Sequence, residues 1–310
     1  MNIVFLDANT IGEDVSLEPI SELGHLRLYS ETKASEVNER IKSAEVLIVN
    51  KVKIGKENID AAPHLKLICE AATGVNNIDV SYAESKGIPV KNVAGYSTES
   101  VAQVTFMHIL NLVGNPFYFD DYVKSGRYSS SGCFTDVSHP FYELKGKKLG
   151  IIAMGNIGSR VAEIASVFGM NVSYFSTSGT GHNKNYPSVS LDELLSESDI
   201  VTIHAPLNEK TLNLIQYDDI CKMKPGAYIV NMGRGGIINE EDLVKALNDK
   251  KIAGAAIDVF VDEPIPAYHP YITGMKNPLM IKFTPHIGWT TREARIKLVS
   301  MIADNIKTIL

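Results

Sequence analysis

The chain has 310 residues, 45% hydrophobic and 21% charged, which predicts two domains and excludes disorder as the main state. Lys and Arg number 30 against 36 Asp and Glu, a net charge of −6, and this argues against a nucleic-acid binder. No apolar run approaches the ~20 residues that a bilayer span needs, and the opening MNIVFLDANT lacks the basic region of a signal peptide. The three cysteines, Cys69, Cys133 and Cys221, form no CxxC pair. Neither a disulfide framework nor a metal site is therefore expected, and a reduced cytoplasmic compartment fits best.

Along the chain, short β-branched apolar runs alternate with amphipathic stretches, the pattern of α/β units around parallel sheets. Strands are predicted at residues 3–6, 46–50, 65–71 and 88–92, with helices at 34–43 and 80–85. A long helix follows Ser97, with Ser97 or Thr98 as its cap and Glu99 favourably placed in its first turn. Residues 125–143 show no period and read as an arm whose aromatics, Tyr128, Phe134, Phe141 and Tyr142, call for burial. From Lys148 a second series begins, with strands at 149–153, 172–176, 200–204, 227–231, 254–259 and 281–284. Six strands with intervening helices match a doubly wound nucleotide-binding domain. A helix over 291–310 closes the chain.

The first strand of the second series runs into Ala153-Met154-Gly155-Asn156-Ile157-Gly158 and then an amphipathic helix. Gly155 lets backbone approach a pyrophosphate, Gly158 lets the helix pack on the strand, and the helix N-terminus offers free N–H groups. Ala153 replaces the first glycine of the usual triplet, so its turn has either a negative φ or slight strain. An acid normally ends the second strand and holds the ribose. Here Ser176, Thr177 and Ser178 stand there, with only His182 and Lys184 as nearby basic groups, so NAD and NADP both stay open.

Three further segments lie beyond strand ends, where ligands bind in doubly wound sheets. They carry Arg234 in GRGG, Glu263 in DEP after Asp258, and His286 in TPHIGW. Arg presents a planar fork suited to a carboxylate. His exchanges a proton near neutral pH, and a carboxylate on its other nitrogen fixes the tautomer. His204 also ends a strand, and packing is its expected role. His25, His64, His108, His139, His182 and His269 show no comparable setting.

Together GNIG, HAPLNEKT, NMGRGG, DVFVDEP and TPHIGW resemble the D-isomer-specific 2-hydroxyacid dehydrogenases, in order and over nearly the whole chain. AATGVNNIDV, NVAGYSTESVAQ and Trp289 resemble the glycerate dehydrogenase/hydroxypyruvate reductase branch. The resemblance implies a Rossmann dinucleotide-binding domain, residues 98–286, inserted in a flavodoxin-like substrate domain, residues 1–97 and 287–310. It implies hydride transfer between a nicotinamide cofactor and a small 2-oxo acid of the hydroxypyruvate, glyoxylate or pyruvate type.

By the same resemblance Arg234 clamps the substrate, His286 is the acid/base on the C2 oxygen and Glu263 orients it. Asp258 takes the nicotinamide carboxamide. Asn156, Ile157, Ala205, Pro206, Thr211, Met232 and Gly233 line the cofactor. Thr73 and Gly74 bind the carboxylate, with Val75 and Tyr96 lining the pocket. The long helix and the arm after it pair two subunits as a homodimer. Two other readings share the fold: a dinucleotide-sensing regulator, and a formate or phosphite dehydrogenase.

Overall fold

Strands form where the sequence offers short runs that are apolar on both faces. In the computed structural model, which describes residues 1–181 and 183–310, two units emerge: Met1–Ser97 with Trp289–Leu310, and Thr98–Gly288. His182 lies outside the described residues.

The first unit holds β1 (Asn2–Phe5), β2 (His25–Leu28), β3 (Val46–Val49), β4 (Leu67–Glu70) and β5 (Val90–Lys91). All are parallel, in the order β2-β1-β3-β4-β5, the flavodoxin-like arrangement. β3 and β4 are buried at every position, as parallel strands covered on both faces must be. β2 was not predicted. It is an edge strand, and its sequence HLRL has no fully buried residue, so it shows no apolar run. The helix expected at 34–43 is shorter, a 3-10 turn at Ala34–Glu36 running into a helix at Val37–Ile41. The last helix, Arg292–Lys307, returns to this unit, where Leu298, Ile302 and Ile306 share a core with Ile3, Phe5 and Ile48.

The second unit holds β6 (Lys148–Ile152), β7 (Asn171–Phe175), β8 (Ile200–Ile203), β9 (Tyr228–Asn231), β10 (Gly254–Ile257) and β11 (Ile281–Phe283). They are parallel in the order β11-β10-β9-β8-β6-β7. A single parallel bridge, Tyr174–Ser188, extends the sheet beyond β7. It stands where a doubly wound fold carries its third strand, so the crossover between β6 and β8 is the topological switch point. Helix Thr98–Gly114 places Val101, Ala102, Phe106 and Ile109 in a core with Leu149, Ile151, Val230 and Ala256.

Two features of the structure depart from the expectation from sequence. The arm contains a short helix, Arg127–Ser130, and follows another, Pro116–Lys124, and its aromatics are exposed: Phe134 is 88%, Phe141 63% and Tyr142 58% accessible. The arm packs on the helix before it instead. The Tyr118 and His139 rings stack at 3.7 Å and the Tyr118 hydroxyl donates to Asp136 at 2.9 Å. Ile287 and Gly288, expected with the first domain, belong to the second unit, because both backbone amides donate to the Asp258 carboxylate at 2.9 Å.

No helix among the described residues is long and apolar enough to cross a membrane.

Candidate active site

The carboxyl end of β6 turns through Ala153 into helix Asn156–Val167. Ala153 has φ of 73°, so the strained alternative is the one realised, at about 1–3 kcal/mol for a non-glycine residue held there. A Cβ on Gly158 would lie 2.4 Å from the Ala153 carbonyl oxygen, so only glycine permits the helix to pack this closely. A Cβ on Gly155 would meet nothing within 4 Å, and no side chain caps the helix. The result is an open cradle with uncapped amides at a positive dipole end, a fit for a pyrophosphate.

Beside this cradle, Ala205 and Met232 are buried and Pro206 is exposed. Thr211 is fully buried, and its hydroxyl donates to the Pro206 carbonyl at 2.6 Å and accepts from the Asn208 amide at 2.9 Å. It shapes the loop from beneath. Both ring nitrogens of His204 are buried with no hydrogen-bond partner among the described residues, and burial pulls its pKa down to about 3. The ring is thus neutral and offers a donor and an acceptor to an incoming polar group. Orphaned polar atoms beside an open cradle are the mark expected of a cofactor cleft. Ser176 directly follows β7, with its hydroxyl donating to the Thr180 carbonyl at 2.7 Å and lying 3.2 Å from the Ser178 hydroxyl.

β9, β10 and β11 are neighbours, so the loops that follow them share one edge of the sheet. At the end of β9, the buried Asn231 staples the turn that carries Arg234. Its Nδ2 donates to the Arg234 carbonyl at 2.9 Å and its Oδ1 accepts from the Gly233 amide at 3.0 Å. The Arg234 guanidinium donates to the Gly233 carbonyl at 2.8 Å. Gly235 packs so tightly that a Cβ there would stand 2.0 Å from the Phe260 carbonyl carbon, which joins the Arg234 turn to the loop bearing Glu263. Asn231 was not singled out in the sequence, because an Asn at a strand end carries no distinctive signal.

Glu263 Oε1 accepts from the Phe260 amide at 3.1 Å, and its Oε2 lies 2.7 Å from His286 Nδ1. A carboxylate oxygen only accepts, so Nδ1 carries the proton and Nε2 is left for chemistry. His286 has φ of 54°, and its side chain is 22% accessible against 27% for Glu263. Asp258 is 2% accessible.

In the first unit, Thr73 is exposed and Gly74 and Val75 are partly so. The Thr73 hydroxyl donates to the Val93 carbonyl at 3.1 Å, and its own carbonyl accepts from Asn92. Tyr96 stands edge-on to Trp289, ring centres 6.3 Å apart. Asn77 ties the end of this loop down by donating to Val52 and Glu70 at 3.1 and 2.9 Å. Among the described residues no group of three His, Cys, Asp or Glu is placed to hold a metal ion.

Residues 106–288 match the family model described as D-isomer specific 2-hydroxyacid dehydrogenase, NAD binding domain. The chain is 36% identical over 318 residues to a protein of Blautia hydrogenotrophica named hydroxypyruvate reductase, covering 100% of this chain and 97% of that one. It is 40% identical over 255 residues to a glyoxylate reductase of Aeropyrum pernix, covering 80% and 74%. Among solved structures, D-lactate dehydrogenase from Aquifex aeolicus, complexed with NAD and lactic acid, superposes with a TM-score of 0.83. The identity there is 31%, over 99% of this chain and 95% of that one.

Proposed function

This chain belongs to the D-isomer-specific 2-hydroxyacid dehydrogenase family, and from that premise we propose that it reduces a small 2-oxo acid to the D-2-hydroxy acid. Hydroxypyruvate and glyoxylate are the foremost candidates, being the substrates named for its relatives. The observation that carries the reading is the 2.7 Å contact of Glu263 with His286 on the loops after β10 and β11, next to the Arg234 turn.

A bound nicotinamide supplies the hydride that C2 receives, or takes it in the reverse direction. Reduction also needs a proton on the C2 oxygen. His286 gives it from Nε2 while Glu263 holds Nδ1, and takes it back when a hydroxy acid is oxidised. Arg234 holds the substrate carboxylate and the oxygen on which charge develops. In a site drier than bulk water that interaction counts for more than it would in solution. Thr73, Gly74, Val75 and Tyr96 are assigned to substrate carboxylate binding and pocket lining. Gly155, Asn156, Ile157, Gly158, Ala205, Pro206, Met232, Gly233 and Asp258 are assigned to the cofactor, with Thr211 supporting the loop.

Both cofactors are accepted in this reading. Ser176 replaces the acid that would repel the additional phosphate of NADP, and its hydroxyl, whose proton goes to the Thr180 carbonyl, is left to accept from the ribose of NAD. A homodimer is proposed on the apolar groups that one protomer leaves accessible: Met107, Leu110, Phe134, Phe141 and Tyr142. A cytoplasmic setting is proposed on the free thiols of Cys133 and Cys221, both exposed. The test is loss of NADH and NADPH absorbance against pyruvate, hydroxypyruvate, glyoxylate and a branched 2-oxo acid. Turnover of none of them would overturn the reading in favour of a dinucleotide-sensing regulator.

A further inference from the structure

Asp258 collects hydrogen bonds from three directions. Oδ1 accepts from the Ile287 amide at 2.9 Å and the Thr284 hydroxyl at 2.5 Å, Oδ2 accepts from the Gly288 amide at 2.9 Å, and its backbone carbonyl accepts from the His286 amide at 2.8 Å. These donors bracket His286 on both sides. The Thr284 hydroxyl also lies 2.9 Å from Nε2 of His108, which is 1% accessible on helix Thr98–Gly114. A hydroxyl has one proton to give. Since the Thr284 proton goes to the carboxylate, Thr284 must accept from His108, and the proton of His108 sits on Nε2. Nδ1 is then the bare nitrogen, and it is the one with no partner among the described residues. Burial lowers the His108 pKa, against the opposing charge of Asp258. The chain of donors runs one way: His108 to Thr284 to Asp258, where two backbone amides converge.

We propose that Thr284 and His108 are positioning residues of the reaction. Through Asp258 they hold the His286 backbone in its left-handed conformation and so aim its ring at the reacting oxygen. A non-glycine residue keeps such a conformation only where its surroundings over-determine it. The Asp258 carboxylate and carbonyl supply that here, and the Thr284 hydroxyl fixes the carboxylate. His108, sent from the buried face of a helix some 176 positions away in sequence, orients the hydroxyl. The inference rests on His286 as proton donor.

The experiment compares wild type with Thr284→Val, which keeps shape and removes the hydroxyl, and Thr284→Ser, which restores it. Four quantities are read: kcat and KM with glyoxylate or hydroxypyruvate, NADH affinity by fluorescence titration, and amide exchange over residues 284–290. Val is expected to lower kcat by about 10- to 100-fold, as misplacement of a reacting group does, with NADH affinity falling by a smaller factor, because Asp258 also serves the cofactor, and with faster exchange at Ile287 and Gly288. Ser is expected to recover both kcat and protection. The proposal is overturned if Val keeps wild-type kcat, if Ser is as slow as Val, or if NADH affinity falls in step with kcat. Should Val fail to fold, His108→Leu against His108→Gln makes the same comparison, since Gln keeps a donor near the Nε2 position. If wild type turns over no 2-oxo acid, the proposed function fails on its own. The exchange data then still judge the clamp: protection equal in Val and Ser would overturn it.

Discussion

Glu263 and His286 are 23 positions apart in sequence, yet Oε2 and Nδ1 meet at 2.7 Å. β10 and β11 run parallel and adjacent, so their following loops emerge side by side. Glu263 is itself pinned by the Phe260 amide, so the ring is oriented from a fixed point. His286→Gln is expected to lower kcat by roughly 10²–10⁴-fold, the range for a positioned proton donor, with cofactor affinity unchanged in a fluorescence titration. Near-normal turnover would remove His286 from the mechanism.

Arg234 sits on a turn stapled by Asn231 and pressed against the Phe260–Val261 backbone. Arg234→Lys keeps the charge and loses the planar fork. Steady-state kinetics should show a raised KM for the 2-oxo acid together with a lower kcat, and Arg234→Ala should be worse on both. If the Ala variant binds the 2-oxo acid with wild-type KM, the arginine serves the turn alone.

The Ser176 hydroxyl donates to the Thr180 carbonyl within its own loop. Ser176→Asp places a ribose acceptor and a negative charge there. The ratio of kcat/KM for NADH to that for NADPH should rise by at least about tenfold, equivalent to 1.4 kcal/mol. A constant ratio would show that the adenosine ribose is held elsewhere.

Glu70, at the end of β4, has no solvent exposure. Burial pushes its pKa from an ordinary 4.5 up to about 8, opposed by the hydrogen bond from Asn77 and reinforced by the charge of Asp7. The folded state therefore holds this proton more tightly than the unfolded chain does. Its contribution to stability is fully present below pH 4.5 and is lost as pH rises through about 8. Glu70→Gln has no proton to lose. The Tm of wild type should fall relative to that of the variant between pH 5 and pH 8.5, read by thermal unfolding at each pH. A Tm difference that stays constant across this range would show that Glu70 does not titrate there.

Most strands were legible because a parallel sheet covered on both faces needs continuous apolar runs. β3 and β8 are buried at every residue and read as VLIV and IVTI. β2 was not, because an edge strand can alternate freely, and the Tyr174–Ser188 bridge was not, because one bridging residue has no period. Arg234, Glu263 and His286 could be singled out because each follows a strand of the nucleotide-binding series. Asn231, Thr284 and His108 could not, since their meaning lies in which atoms they meet.

The sequence by itself determined the two series of strands, the glycine turn after β6 and the family, because apolar period and ordered motifs are local properties of the chain. Only the tertiary structure decided that Ala153 takes φ of 73°, that Ile287 and Gly288 stay with the second unit, and that His108 reaches Asp258 through Thr284. Those outcomes depend on hydrogen bonds between residues remote in sequence. Such bonds form only once burial has removed water as the competing partner, so no window of sequence contains them.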